Sequence, residues 1–303
     1  MDRVLVVCGP TGVGKTKLSI DLAKYYDGEI INVDSMQIYK EMNIGTAKIK
    51  EEEKQGVPHH LFDIYSVKES SNVADFQVLV RKKIKEVKDK GKMPILVGGT
   101  GLYMKASLYD YDFVETDTKE NKYEGFTNDE LYEMLKAKDP ESASKFHANN
   151  RKRIIRSLEI IDYTGEKKSD IEAKQEHKLV YDALFLTLTM DREKLYERIN
   201  KRVDIMMEEG LEKEVEYIFD NASANTTALQ AIGYKEFLPY FHGEHSLEQV
   251  IDDIKKNSRH YAKRQYTWFR NQIEANWIDI TNKSQQEIFN LAKEVVEKRW
   301  FDE

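Results

Sequence analysis

An apolar run, Val4 to Cys8, leads directly into Gly9-Pro10-Thr11-Gly12-Val13-Gly14-Lys15-Thr16, the spacing G-x-x-x-x-G-K-T. Residue types in that order bind phosphates. The glycines let the backbone turn tightly and aim its N–H groups inward, where a Cβ would obstruct. A helix starting at Lys15 presents unpaired N-terminal amides and a positive dipole end to an anion, and Lys15 adds a full charge. The Thr16 hydroxyl is a candidate ligand for Mg²⁺. The competing reading is a plain glycine-rich turn between a strand and a helix. The complete motif and the helix-permissive stretch Leu18 to Tyr26 disfavour it. Neither the loop nor the fold behind it says which phosphate compound binds, or whether a phosphoryl group moves.

Other residues are placed to share that crevice. Glu29 to Val33 reads as a second strand and ends in Asp34-Ser35-Met36-Gln37-Ile38-Tyr39. Residues just past the carboxyl end of a parallel strand face the ligand. Asp34 is a candidate catalytic base or a turn former, and position alone leaves both open. Pro94 to Val97 is a third strand, followed by Gly98-Gly99-Thr100-Gly101-Leu102-Tyr103, a second glycine-rich junction on the same side. Arg198 and Arg202 share a helix face, and no acid three or four residues away on that helix neutralises either. They suit a phosphate, a solvated face or an ion pair with another element.

Two basic segments point to a larger anion. Arg151-Lys152-Arg153-Ile154-Ile155-Arg156 opens a helix that also carries an apolar face. Lys255, Lys256, Arg259, Lys263, Arg264 and Arg270 follow one another without an intervening acid, interleaved with Tyr261, Tyr266, Trp268 and Phe269. Each segment reads either as solvated or core-packing surface or as a polyanion-facing side. The net charge of −7 does not decide this, because binding depends on local surface. His59-His60 on an extended segment point to opposite sides and make a poor chelate, so no metal is expected there.

The elements that must position these groups give an α/β fold: a P-loop NTPase-like parallel sheet core with helices on both faces and a mostly helical insertion. Val73 to Lys90 is a crossover helix closed by Gly91, and Ala183 to Leu188 returns to the sheet. Between them the texture turns polar from Tyr109 to Lys122, placing the core at 1–112 and 182–303 and the insertion at 113–181. Thr127 with Glu130, Ser246 with Gln249 and Ser284 with Glu287 fit capping boxes. Asn149 or Asn150 is a candidate cap for a helix ending at Gly165. Asp191 opens a helix through Met207, and Trp277 to Ile280 is a candidate edge strand. One cysteine, Cys8, excludes an internal disulfide and a thiolate metal cluster. No apolar run approaches the roughly 20 residues of a membrane span, and the N-terminus enters the first strand directly, so a cytoplasmic protein without membrane attachment is expected.

Taken together, Gly9 to Thr16, Asp34 to Tyr39, Gly45-Thr46-Ala47-Lys48, Pro58-His59-His60-Leu61, Gly98 to Tyr103, Arg153 to Glu159, Gln230 to Glu236 and Tyr261 to Gln265 with Trp268-Phe269-Arg270 resemble the bacterial tRNA dimethylallyltransferases, also called tRNA isopentenyltransferases. The resemblance spans nearly the whole chain. It implies transfer of a dimethylallyl group from dimethylallyl diphosphate to N6 of adenine 37, beside the anticodon of tRNA. The phosphate loop would then hold a leaving diphosphate through Gly9, Pro10, Thr11, Gly12, Val13, Gly14, Lys15 and Thr16. Mg²⁺ would sit at Thr16.

Asp34, Thr16 and Arg202 become the expected catalytic residues: Asp34 takes the proton of a weakly nucleophilic amine, and the others stabilise the departing charge. Asp34, Ser35, Met36, Gln37, Thr100, Lys152, Arg153, Ile154, Ile155, Arg156, Lys263 and Arg264 become the expected contacts to the tRNA anticodon stem-loop. Gln37 is placed to meet the edge of an unstacked adenine. A monomer is expected. A small-molecule kinase using ATP and a non-catalytic nucleotide-dependent RNA-binding module remain the rival readings, disfavoured by the basic aromatic helix and by Asp34 respectively.

Overall fold

Apolar runs without alternation become strands covered on both faces. β1 (Arg3–Cys8), β2 (Gly28–Asn32), β3 (His59–His60), β4 (Met93–Gly98), β5 (Asp182–Thr189) and β6 (Asn276–Asp279) pair in the order β3-β2-β4-β1-β5-β6, with every neighbour parallel. In this computed structural model residues 1–114, 122–223 and 226–302 are described. The polar stretch expected from Tyr109 to Lys122 therefore lies partly outside them.

The helices are α1 (Lys15–Tyr25), α2 (Val73–Asp89), α3 (Gly101–Leu108), α4 (Asn128–Lys138), α5 (Pro140–Ser144), α6 (Arg151–Thr164), α7 (Lys168–Lys174), α8 (Arg192–Glu208), α9 (Leu211–Asn221), α10 (Leu238–Phe241), α11 (Leu247–Gln272) and α12 (Gln285–Trp300). Leu5, Val7, Ile30, Ile95, Leu184 and Leu186 pack with residues of α1 and α12 in one core. The alternate strand residues Val4, Val6, Ile31 and Leu96 are equally buried, and α2 packs against both β4 and α3. The three expected capping boxes form at Thr127, Ser246 and Ser284. Among the described residues no helix is long and apolar enough to cross a membrane.

Two compact units emerge, Met1–Leu108 with Leu179–Glu303, and Tyr109–Lys178. The crossing points lie a few residues earlier than 113 and 181, because main-chain pairing fixes them. The Val180 N–H donates to the Leu108 carbonyl, and the Asp110 N–H donates to that of Lys178. In the second unit Leu131, Leu135, Ala143, Ile154 and Leu158 form a separate core.

The extended segment that carries His59 and His60 is a sheet strand: the two residues form β3 against Ile30 and Ile31. His60 Nε2 meets the buried Glu29 carboxylate at 2.6 Å, and His59 Nδ1 meets the Val57 carbonyl at 2.7 Å. The edge position, not the local sequence, makes this pair a strand.

Candidate active site

The carboxyl ends of β1, β2 and β4 carry the phosphate loop, Asp34 and Gly98-Gly99, and these surround a cavity of about 310 Å³. Thr11, Gly12, Gly14, Lys15, Thr16, Asp34, Gln37, Arg198 and Arg202 all line it. Gly14 is the N-cap of α1, with no side-chain cap and no acid in the first turn. Its end is thus open to an anion. A second cavity of about 330 Å³ is lined by Ser35, Met36, Ile232, Tyr234 and Arg264 among others, and it shares Thr11, Asp34, Thr46, Arg202 and Tyr261 with the first. The two spaces meet at Asp34 and Arg202.

Lys15, Arg198 and Arg202 stand against a single carboxylate, Asp34, in the first cavity. Burial draws the Lys15 ammonium down to about 8; Asp34 opposes that shift and Arg202 adds to it. Arg202 is also lowered, chiefly by burial, then raised by Asp34 and lowered by Arg198. Such crowding of positive charge favours a polyanion. The Asp34 Oδ1 accepts the Met36 N–H at 2.9 Å, and the Asp34 N–H donates to Asn32 Oδ1 at 3.0 Å. Among the described residues no hydrogen bond reaches Asp34 Oδ2. The hydroxyl of Tyr261, in both cavities, is pushed up to about 12 by burial and by Asp34 and so stays a proton donor.

The low Lys15 value has a sign that can be measured. A diphosphate bound there would restore the ammonium, so its binding above pH 8 is expected to take up a proton. Affinity for inorganic diphosphate is expected to fall up to about tenfold per pH unit above that point. Lys15→Ala shares the ligand's own titration and should lack this extra fall; equal profiles for the two proteins in calorimetric titrations would remove Lys15 as the titrating group. In the unliganded protein the unfolded chain binds the Lys15 proton more tightly, so stability is expected to rise from about pH 8 to the ordinary lysine range.

Several expected site residues do other work. Gly9, Pro10 and Val13 do not line the cavity. The Gly9 and Pro10 carbonyls accept from Lys15 Nζ at 3.0 and 2.9 Å, and a Cβ on Gly9 would lie 2.8 Å from the Leu188 carbonyl oxygen. Val13 is fully buried and donates its N–H to Pro10. These three therefore shape the loop. Thr100 lines neither cavity; its hydroxyl accepts the Ser35 N–H at 3.2 Å and ties two strand ends together. Ile154 is wholly buried in the core of the second unit, with Ile155 packed against that core, so the Ile154 side chain is not an RNA contact.

Arg151 spends its guanidinium on the carbonyls of Tyr123, Glu124 and Phe126, and Arg156 bonds the Val114 carbonyl and pairs with Glu159. Lys152 and Arg153 are exposed, with Arg153 over the Phe146 ring. On α11 the stripe is likewise divided. Lys255 pairs with Asp204 and Arg259 bonds Asn200, both on α8, whereas Lys256, Lys263 and Arg264 are exposed.

Gln265 is the residue that sequence reasoning missed. It is 6 % exposed; its Oε1 accepts the Thr11 N–H and its Nε2 donates to the Gly99 carbonyl, both at 2.9 Å. One side chain of α11 thus clamps the phosphate loop to the β4 junction. Gln265→Leu keeps the volume and leaves both main-chain groups unpaired, at about 1–3 kcal/mol each. A lower denaturant midpoint together with weaker diphosphate binding is the expected result, and an unchanged pair of measurements would refute the clamp.

A family model described as IPP transferase matches residues 37–272. A tRNA dimethylallyltransferase of Anoxybacillus flavithermus is 51 % identical over 284 residues, covering 93 % of this chain and 91 % of that protein. The crystal structure of a tRNA isopentenylpyrophosphate transferase from Staphylococcus epidermidis is 40 % identical, with a TM-score of 0.74, 99 % of this chain covered and 100 % of the other. A eukaryotic dimethylallyltransferase acting on tRNA is 33 % identical with a TM-score of 0.86, covering all of this chain and 81 % of its own. With three-quarters of its length matched by the family model and its fold shared with these enzymes, the chain belongs to the IPP transferase family.

Proposed function

We infer that the protein transfers a dimethylallyl group from dimethylallyl diphosphate to N6 of adenine 37 in tRNA. The relatives named above are tRNA prenyltransferases, and the observation that carries the reading onto this chain is the shared position of Asp34 and Arg202 in two adjoining cavities. One cavity holds the diphosphate, against the α1 N-terminus, Lys15 and Arg198. Ile30, Ile49, Phe62 and Val97 line that cavity too and suit the five-carbon chain. The other receives the adenine, unstacked from the anticodon loop.

As N6 attacks C1 of the dimethylallyl group, Asp34 Oδ2 takes the N6 proton, the C–O bond to the diphosphate breaks, and its electron pair leaves with the diphosphate. Lys15, Arg198 and Arg202 stabilise that charge where it develops. The Thr16 hydroxyl lines the same cavity with no hydrogen-bond partner among the described residues, and it is the group that would hold Mg²⁺ there. Bound there beside the diphosphate, Mg²⁺ would supply neutralisation of the leaving group's charge. Incubation with undermodified tRNA and either dimethylallyl diphosphate or ATP, followed by nucleoside mass analysis, tests the reading. A prenylated adenosine formed only with the first supports it; phosphorylation of a small substrate with ATP and no prenylated product overturns it.

The exposed cations supply the tRNA contacts in this reading. Replacing Lys263 and Arg264 with glutamine is expected to weaken tRNA binding and reduce the log–log salt slope by about 0.7–0.9 per lost phosphate contact. Lys255→Gln, which loses the Asp204 pair, should leave that slope unchanged. Binding curves at several salt concentrations separate the two.

A further inference from the structure

Glu214, on α9, is not among the residues lining either cavity, yet its carboxylate collects four donors. The N–H groups of Asn43, Ile44 and Gly45 reach it at 2.8–3.0 Å, and the Tyr234 hydroxyl at 2.6 Å. Three successive amides turned onto one anion form a nest. Tyr234 is fully buried, and a Cβ added to Gly45 would lie 2.5 Å from its ring, so the ring and the carboxylate hold the loop from two sides. Tyr234 is set in turn by Glu236, which accepts the Gly233 N–H and the Asn257 amide of α11.

The residue after this clamp matters for the chemistry. The Thr46 carbonyl accepts from Arg202 Nη2 at 3.3 Å and from Gln37 Nε2 at 3.0 Å. One main-chain oxygen therefore aims both the cation assigned to the diphosphate and the amide assigned to the adenine. We propose that Glu214, through the 43–46 backbone held by its carboxylate and Tyr234, is a positioning residue that aims Arg202 into the diphosphate site. This rests on the assignment of Arg202 to the diphosphate.

Glu214→Gln nearly preserves size but replaces an acceptor oxygen by a donor that faces other donors, so the nest opens. Faster hydrogen exchange at the Asn43, Ile44 and Gly45 amides is expected. So is about a tenfold loss of affinity for inorganic diphosphate, a fold-change equal to a coupling of about 1.4 kcal/mol. In an Arg202→Ala background the same substitution should cause no further loss. Tyr234→Phe removes one donor and keeps the ring, and it should shift the same readings in the same direction by less, which covers a Glu214 variant that does not fold.

Loss of diphosphate affinity that is equal with and without the Arg202 side chain overturns the proposal. So does accelerated exchange with unchanged affinity. If Arg202→Ala itself leaves diphosphate affinity unchanged, the Arg202 assignment and the proposal fall together. If wild-type protein makes no prenylated adenosine while the binding cycle behaves as expected, the reaction reading fails and the positioning role stands.

Discussion

Asp34→Asn is expected to slow single-turnover prenyl transfer by about 10²–10⁴ while both substrates still bind. The geometry makes this substitution unusually clean. Asp34 Oδ1 is spent on the Met36 N–H, a turn-forming bond that asparagine reproduces. The change therefore falls on the second oxygen, where an amide NH₂ replaces the proton acceptor. A base role and a turn role thus reside on different atoms of one side chain. Near-normal single-turnover chemistry in folded Asp34→Asn would confine Asp34 to the turn. A selective loss of tRNA affinity would make it a holder of the adenine rather than its base.

Lys15→Ala is expected to lower turnover by about 10²–10³, the usual cost of deleting a preorganised donor to a developing anion, and to weaken diphosphate binding. It should not lower the melting temperature of the unliganded protein near neutral pH. Burial disfavours the Lys15 charge carried below about pH 8, whereas the bonds from its Nζ to the Gly9 and Pro10 carbonyls favour the folded loop, and the two effects offset. tRNA affinity measured without the prenyl donor should be unaffected. A variant with wild-type kinetics toward dimethylallyl diphosphate would take the phosphate loop out of the mechanism.

What was legible in the sequence was local chemistry attached to a strand end. The loop before α1, Asp34 after β2 and the junction after β4 follow from residue type and from the rule that parallel sheets bind ligands at their carboxyl ends. Gln265 and Glu214 were not legible. Gln265 bonds Thr11, 254 positions away, and Glu214 bonds Gly45, 169 away, and no periodicity or spacing links residues so distant. The same limit divides the cations. Arg151 and Lys152 are adjacent and alike in sequence, yet the first is spent on three carbonyls and the second is exposed. Lys255 looked unneutralised because its acid, Asp204, belongs to another helix.

The paired crossing at Leu108–Val180 and Asp110–Lys178 brings the outgoing and returning chain side by side. Excision of 109–178 and closure with a short glycine-containing turn would therefore ask the remaining chain to span almost no distance, since a two-residue connection suits neighbouring backbones. Among the described residues, all those lining the two cavities lie outside the excised segment. The shortened chain is therefore expected to fold and to keep its affinity for inorganic diphosphate in calorimetric titration, and loss of that affinity would show that 109–178 supports the phosphate loop.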